Sequence, residues 1–288
     1  GVKDYLVILA GLPRGGSKSW KSLNKNVIKN LDADLAICTE DTVDKNLYIY
    51  KIADYHWLFP ERENWIDYYF ENYSSNSVDV LKMGEGAGLW ESGVVHLALK
   101  DFILKNHLDI INNYKYIIYG RFDQYYTEKH PNFHGGNIWI PNGEDYFGIN
   151  DRHAVVNVKF ISEYLNICNF INSLDTQQLQ EKYLNCETIY KMHLESFTSK
   201  DEIIRIKRFQ FTSATKKDFT RWRVPEYSLI FDKNLMIKYP DEFLESIKNS
   251  RKFKFLTSLD FTDLDLLLTF YYLCLRRFVG KFIKKYFK

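Results

Sequence analysis

Carboxylates that could act in acid–base chemistry are concentrated in residues 141–153 (PNGEDYFGINDRH). Glu144, Asp145 and Asp151 stand there beside Arg152 and His153. A transfer to a hydroxyl group needs a carboxylate near the acceptor oxygen as general base. The two glycines of the segment permit the tight turns that bring such groups together. We therefore expect this segment to supply the base, and a solvated acidic loop is the alternative.

A glycine turn near the start of the chain could bind phosphate. Residues 11–19 (GLPRGGSKS) follow an apolar run and precede a helical pattern. Backbone N–H groups at such a junction can meet a phosphate, and the Arg14 guanidinium can bind it through two hydrogen bonds. We expect Gly11, Leu12 and Arg14 to contact a phosphate, the alternative being an ordinary turn between a strand and a helix.

Two further groups of charged residues could serve the same ligand. Asp123 follows the apolar run 116–119 (YIIY), and a carboxylate in that place can hold Mg²⁺ or Mn²⁺ against a nucleotide diphosphate. A surface pair with Arg121 is the alternative. Arg221 and Arg223 flank Trp222 and could neutralise a leaving pyrophosphate, or else surround a core tryptophan.

The elements that position these groups alternate between strand and helix. Residues 5–10 and 34–38 predict buried strands on either side of a helix, which is a βαβ opening. A long amphipathic helix over 91–113 leads into a strand over 116–119, so Asp123 is expected past the carboxyl end of that strand. The prediction is one α/β domain over 1–235. Its remaining elements are a short strand over 137–140, helices over 158–173 and 176–197, and a strand over 203–211.

Composition restricts the class of protein further. Apolar residues make up 45% and charged residues 26% of the chain, as in folded globular domains, and the 17% of aromatic residues suits stacking on flat or sugar-like ligands. Residues 266–288 contain six basic residues and no acidic one, whereas the whole chain has a net charge of +2. The first 265 residues therefore carry a net charge of −4. This distribution argues against nucleic-acid binding. Four cysteines without zinc-like spacing, and a start without the layout of a signal peptide, predict a cytoplasmic setting.

The carboxyl-terminal residues 236–288 predict a helical extension. Its uncharged run, residues 266–275, is much shorter than the roughly 20 residues that span a bilayer. Phe278, Phe282, Ile283, Tyr286 and Phe287 accompany the basic residues, as in a cationic amphipathic helix on an anionic membrane. We expect residues 264–288 to place the protein peripherally on the inner face of a membrane. Packing on the domain or an oligomer contact is the alternative.

Several stretches together resemble the GT-A glycosyltransferases, in particular a small group from large DNA viruses such as chloroviruses and from bacterial surface-glycan loci. They are LPRGGSKSWKSL, YKYIIYGRFDQYY, IWIPNGEDYFGINDRHAVV, CETIYKMHL and FTRWR. The resemblance implies a Rossmann-type mixed sheet flanked by helices. It also implies a nucleotide-sugar donor, usually with Mn²⁺ or Mg²⁺, and a hydroxyl of a glycan or lipid-linked glycan as acceptor.

The resemblance also implies roles for individual residues. Asp123 matches the last acid of the DxD element, which meets the metal, while Arg121 stands in place of the first acid. Asp151, or the pair Glu144 and Asp145, falls where the catalytic base is expected. The residues expected at the donor are Gly11, Leu12, Arg14, Arg121, Asp123, Arg152, Arg221 and Arg223.

Two other classes of function remain open. The LPRGGSKSW stretch also resembles the loop by which sulfotransferases hold a phosphosulfate donor, but Asp123 would repel a phosphate that carries no metal. A non-catalytic glycan-binding module would use the aromatic surface. It would leave the acidic segment and Asp123 unexplained.

Overall fold

The computed structural model describes residues 2–218 and 227–286. The strands are β1 Tyr5–Ala10, β2 Asp34–Glu40, β3 Tyr55–Phe59, β4 Tyr116–Gly120, β5 Gln124–Tyr126, β6 Ile138–Pro141, β7 His153–Asn157, β8 Ile203–Ile206, β9 Gln210–Ala214, β10 Tyr227–Ser228 and β11 Met236–Ile237. The α-helices are α1 Gly16–Leu23, α2 Lys29–Leu31, α3 Tyr48–Ile52, α4 Ile66–Asn72, α5 Ser75–Lys82, α6 Val94–Ile111, α7 Ile161–Leu165, α8 Ile167–Ser173, α9 Thr176–Leu179, α10 Cys186–Phe197, α11 Pro240–Asn249 and α12 Phe261–Tyr286.

The chain divides into two compact units. Unit 1 contains residues 1–12, 31–121 and 132–206, and unit 2 contains residues 13–30, 122–131 and 207–288. Among the described residues each unit has its own sheet, with seven strands in unit 1 and four in unit 2. The separate domain expected from residue 236 onward stays a prediction.

Unit 1 is built on a mixed sheet of order β3-β2-β1-β4-β7-β6-β8. Strand β1 runs parallel to both β2 and β4, whereas β7 runs antiparallel to β4 and β6. The sequence order of the strands therefore reverses between β1 and β4. At such a reversal the carboxyl ends of two parallel strands leave a crevice, which is where open α/β sheets bind ligands. The expectation of a mixed α/β sheet is confirmed.

Both faces of this sheet are covered. Leu6, Val7, Ile8 and Leu9 follow one another in β1 and all four have no exposed surface. An uninterrupted apolar strand of this kind is typical of a sheet with packing on both sides. On one face, residues of α6, α7 and α10 join Leu6 and Ile8 in a single core.

Several predicted elements are confirmed, and others differ. Strands β1, β2, β4 and β6 and the long helix α6 lie where the sequence predicts them, within a few residues. The helix predicted over 176–197 is wrong because it is two helices: α9 ends at Leu179, and Asn185 caps a new helix by accepting a hydrogen bond from the Thr188 amide at 2.7 Å. The pattern over 158–173 forms a 3-10 turn followed by α7 and α8.

The strand predicted over 203–211 is likewise two strands. Strand β8 pairs with β6 in unit 1, and β9 pairs antiparallel with β5 and β11 in unit 2. The alternating pattern of residues 203–211 continues across a change of unit, so it gave no sign of the break. Strands β3, β5 and β7 were not predicted at all.

Unit 2 combines a small antiparallel sheet with α1, α11 and α12. The sheet order is β10-β11-β9-β5, and its core includes Phe211, Phe243, Leu266 and Leu273. Helix α12 confirms the predicted carboxyl-terminal helix. None of the helices in the described ranges is long and apolar enough to cross a membrane.

Candidate functional site

A group of charged side chains lies at the reversal point of the sheet in unit 1. Strand β4 ends at Gly120, and its register partner His153 begins β7. Because β7 runs antiparallel to β4, Arg121 past the end of β4 lies at the same edge as Asp151 and Arg152 just before β7. The register thus brings three of the predicted site residues together.

Helix α6 adds two basic side chains to this group. His96 and Lys100 are four residues apart, so they lie on the same face of the helix. Gly11, which follows β1 with φ at +115°, lies against the His96 ring, where a Cβ would come within 3.4 Å of Cε1. The close approach and the positive φ both favour glycine at the end of β1. Gly11 therefore lies beside α6 at this edge. Its predicted contact with a ligand stays a prediction.

Lys100 is a buried cation surrounded by phenol rings. Its Nζ lies 5.2, 4.7 and 4.6 Å from the ring centres of Tyr119, Tyr164 and Tyr190. Burial lowers the pKa of Lys100 to about 8, and the negative charge of Asp151 works in the opposite direction. The side chain is therefore mostly charged at neutral pH. Sequence patterns did not single it out, because one lysine in an amphipathic helix is ordinarily exposed.

Asp151 is ionised in this setting. Burial alone would raise its pKa, but the positive charges of Arg121, Lys100 and Arg152 outweigh burial and hold the pKa below its usual range. An ionised carboxylate among cations can accept a proton or orient its neighbours. The prediction that Asp151 is the base stays a prediction.

Glu187 is a second carboxylate of the group, and sequence reasoning missed it. Burial raises its pKa to about 7, with a smaller upward contribution from Asp151. It lies in the first turn of α10, and its carbonyl accepts a hydrogen bond from the Ile149 amide at 3.1 Å. Gly148 packs against the same carbonyl so closely that a Cβ would lie 2.0 Å from the oxygen. The stretch CETIYKMHL, which contains Glu187, was the available signal.

The other two acidic residues of the segment 141–153 have different surroundings. The carboxylate of Asp145 accepts hydrogen bonds from Arg205 at 2.8 and 3.0 Å, and from the amide and side chain of Asn150. Burial would raise its pKa, yet these bonds lower it. The backbone carbonyl of Glu144 accepts a hydrogen bond from Arg152 at 3.3 Å. These contacts hold the loop in place ahead of β7.

Two residues in the middle of the same loop have left-handed backbones. Tyr146 and Phe147 have φ values of +41° and +72°, which cost energy in residues other than glycine. The Asn185 side chain donates to the Tyr146 carbonyl at 3.0 Å and holds this conformation. As a result the Phe147 ring is 87% exposed and meets the exposed Tyr183 ring edge-on.

The glycine turn of residues 13–19 belongs to unit 2. The Gly15 amide donates a hydrogen bond to Asp218 at 3.0 Å, and the same carboxylate oxygen accepts from the Thr215 amide at 2.8 Å. The Arg14 carbonyl accepts from the Trp20 indole at 3.1 Å. The amino-terminal end of α1 is therefore directed at a carboxylate of this chain. The predicted contact of Arg14 with a nucleotide stays a prediction.

Asp123 also belongs to unit 2 and is only 8% exposed. Its Oδ1 accepts from the Gln124 side chain at 3.2 Å, and its backbone carbonyl accepts from the Ser213 amide at 2.8 Å. Within residues 2–218 and 227–286, no group of three or more His, Cys, Asp or Glu could hold a metal ion. Arg221 and Arg223 lie outside the described residues.

Unit 2 also contains a polar cavity of about 110 Å³. Its walls include Lys18, Lys21, Lys25 and Lys252. Pockets for drug-sized ligands measure roughly 300–1,000 Å³, so this space suits only a small group. The charged group of unit 1 lies at the reversal point of its sheet, where open α/β sheets bind ligands, and is the candidate site on that ground.

Parts of this chain match a family model and solved structures. A model of a domain of unknown function, DUF7796, matches residues 99–229, a range that includes Lys100, Arg121, Asp151 and Glu187. A search of curated proteins found no match to this chain. Among the solved structures that match is the PaToxG Glycosyltransferase, at 12% sequence identity. The match covers 68% of this chain and 69% of that chain, with a TM-score of 0.35.

Proposed function

We propose that the chain is a glycosyltransferase that moves a sugar from a nucleotide-sugar donor to a hydroxyl of a glycan acceptor. The observation that carries the proposal is the charged group at the carboxyl ends of β1 and β4, the place where open α/β sheets bind their ligands. The motif resemblance to GT-A enzymes agrees with it and specifies the donor class.

The charges in unit 1 suit a diphosphate. Arg121, Arg152 and Lys100 are positive, whereas Asp151 is negative and Glu187, with a pKa of about 7, is partly protonated at neutral pH. The group thus has an excess of positive charge. Guanidinium groups bind phosphate oxygens through paired hydrogen bonds, so we assign Arg121 and Arg152 to the donor.

Donor binding would also prepare Asp151 to act as a base. In the free protein the neighbouring cations hold its pKa low, which makes the carboxylate a weak base. A bound diphosphate would neutralise Arg121 and Arg152 and would add negative charge nearby. Both effects raise the pKa of Asp151, so proton uptake from the acceptor hydroxyl becomes more favourable only when the donor is present.

The motif resemblance also assigns a divalent ion to the site. Asp123 is the one carboxylate that the motif resemblance assigns to it, and Arg121 precedes it where a second acid would be expected. Mg²⁺ is often held by one or two carboxylates together with substrate phosphates. An ion at Asp123 would need phosphate oxygens as further ligands, and it would supply positive charge to a leaving diphosphate.

Calorimetric titration with nucleotides tests the proposal. UDP, GDP and dTDP are compared with adenosine 3′,5′-bisphosphate, each with Mn²⁺ and with a chelator. Binding of one nucleoside diphosphate supports the glycosyltransferase, and its metal dependence in wild type and Asp123→Asn tests the role of Asp123. Metal-independent preference for the adenosine bisphosphate would favour a sulfotransferase, and binding of no nucleotide would favour a glycan-binding module.

Variants identify the binding residues in the same experiment. Arg121→Gln and Arg152→Gln should each weaken diphosphate binding by roughly tenfold to a hundredfold, because each removes a charge-assisted hydrogen bond. Arg251→Gln, at an exposed position of unit 2, is the matched control and should bind as wild type does. Equal affinity in all four proteins would contradict the assignment.

A further inference from the structure

We propose that α12 docks the protein on an anionic lipid surface through one exposed apolar face. This inference does not depend on the proposed glycosyltransferase activity. The first half of the helix packs into unit 2 through Leu266, Thr269 and Leu273, which are buried. From Leu264 onward, ten large apolar or aromatic side chains of the helix are exposed: Leu264, Leu268, Tyr271, Tyr272, Leu275, Phe278, Val279, Phe282, Ile283 and Tyr286.

The exposed side chains form a single stripe, which we call the apolar stripe of α12. Their positions recur at intervals of mostly three or four residues, so they lie on one side of a helix with 3.6 residues per turn. The stripe extends for about 33 Å along the helix, at 1.5 Å per residue. An apolar surface of this length on a helix calls for an apolar partner.

The charges beside the stripe identify the partner as a lipid surface with negative headgroups. Within α12 no acidic residue follows Asp265, whereas five basic residues do: Arg276, Arg277, Lys281, Lys284 and Lys285. Helical geometry places Lys281 and Lys284 on the side away from the stripe, and Lys285 beside it. A helix with rings on one face and lysines around the other lies in a membrane interface, with its cations at the headgroups.

Pairing with a second copy of the chain fits these charges less well. Two such helices side by side in parallel would bring their basic halves together, where like charges repel. One of the basic residues, Arg277, is already paired within unit 2, since it lies 2.6 Å from Asp241. The lysines of the last turns have long stems that can reach headgroups while the rings enter the interface.

Co-sedimentation of the full chain with vesicles tests the proposal. Phosphatidylcholine vesicles with and without phosphatidylglycerol are compared at low and high salt. We expect binding to the anionic vesicles and its weakening by salt, because part of the attraction is electrostatic. Equal binding to both vesicle types, or binding to neither, would overturn the proposal.

Two variants separate the stripe from the charges. Phe278→Ser/Phe282→Ser should lower vesicle binding at least roughly tenfold, because it removes two rings from the interface. Lys281→Gln/Lys284→Gln/Lys285→Gln should lower it by about a hundredfold. Phe255→Ser, at a 70% exposed position outside α12, is the control for the first variant and should bind as wild type does.

Controls address folding and the rival partner. The substituted side chains are exposed, so circular dichroism and the thermal unfolding midpoint should stay as in wild type. Light scattering without lipid measures the oligomeric state. A dimer that Phe278→Ser/Phe282→Ser dissociates, with no vesicle binding by the wild type, would assign the stripe to a second copy and overturn the lipid proposal. Nucleotide binding serves as a separate readout, which these variants should leave unchanged.

Discussion

The ammonium group of Lys100 lies 4.6 Å from the centre of the Tyr190 ring. Two more rings, those of Tyr164 and Tyr119, lie within 5.2 Å of it, so a charge is held in a largely aromatic environment beside Asp151. Burial of a lysine is costly unless its charge is compensated, and here ring faces and a carboxylate compensate it in part. Because shifted pKa values are concentrated at functional sites, we include Lys100 in the candidate site.

Replacement of this lysine should weaken donor binding. Lys100→Met keeps an unbranched apolar stem but removes a positive charge from the site, so diphosphate affinity should fall roughly tenfold. Calorimetry measures the change. Lys191→Met, an exposed lysine on α10, is the matched control. Identical affinities in Lys100→Met and wild type would show that the ammonium group has no part in the binding of the anion.

Diphosphate affinity should fall as the pH rises through about 7 and then through about 8. Glu187, with a pKa of about 7, gains a negative charge in the first step, and Lys100, with a pKa of about 8, loses its positive charge in the second. Both changes disfavour an anion. Titrations across this pH range should show the lower step lost in Glu187→Gln and the upper step lost in Lys100→Met. A flat profile in the wild type would contradict the prediction.

Substitution of Asp151 should change binding and catalysis in opposite directions. Asp151→Asn removes a negative charge next to Arg121 and Arg152, so donor affinity should stay the same or increase. The same change removes the proposed base, so kcat should fall by about 10²–10⁴. Steady-state kinetics and calorimetry on one preparation measure both. Full activity would exclude Asp151 as the base and leave Glu144 and Asp145 to be tested.

Asp218 should stabilise the fold and compete with any phosphate at the glycine turn. Its carboxylate accepts from the Gly15 amide at the start of α1, so Asp218→Asn should lower the free energy of unfolding by about 1 kcal/mol. If this turn binds a donor phosphate, the variant should also bind nucleotide more tightly. Denaturant titration and calorimetry measure the two effects. Asp79→Asn, at an exposed position of α5, should change neither.

Gly148 should not tolerate a side chain. A Cβ at this position would lie 2.0 Å from the Glu187 carbonyl oxygen, so the loop must move away from α10 in Gly148→Ala. We expect a loss of about 1–3 kcal/mol in the free energy of unfolding, typical of overpacking. Gly280→Ala is the control, because a Cβ there has no neighbour within 4 Å among the described residues. It should be neutral or slightly stabilising, since alanine favours a helix over glycine.

The sequence predicted the order of the main strands and helices of unit 1 but not how they meet. Periodicity shows where β1, β4 and α6 lie, because each has a long or strongly apolar pattern. Strand β7 was missed because it starts within the polar segment 141–153. The meeting of Arg121 with Asp151 depends on the register of Gly120 with His153, and register cannot be predicted from the local pattern of one strand.

Contacts between distant residues explain the remaining differences. The glycine turn was recognised by its composition, but its partner Asp218 lies 203 positions away from Gly15. Glu187 and Lys100 have ordinary neighbours in sequence. The pKa of Lys100 is shifted by burial, and that of Glu187 by burial and the nearby charge of Asp151, and both effects arise only in the folded unit. Groups whose chemistry depends on tertiary surroundings cannot be identified by residue type and spacing alone.

The two units alternate along the chain, and this order limits which fragments of the protein can contain a whole unit. The chain passes from one unit to the other five times, at residues 12–13, 30–31, 121–122, 131–132 and 206–207. No single cut of the backbone therefore yields a fragment that contains one unit whole and nothing else. Unit 1 needs residues up to 206 and unit 2 needs residues beyond 206, so during synthesis neither unit can close before most of these residues have been added.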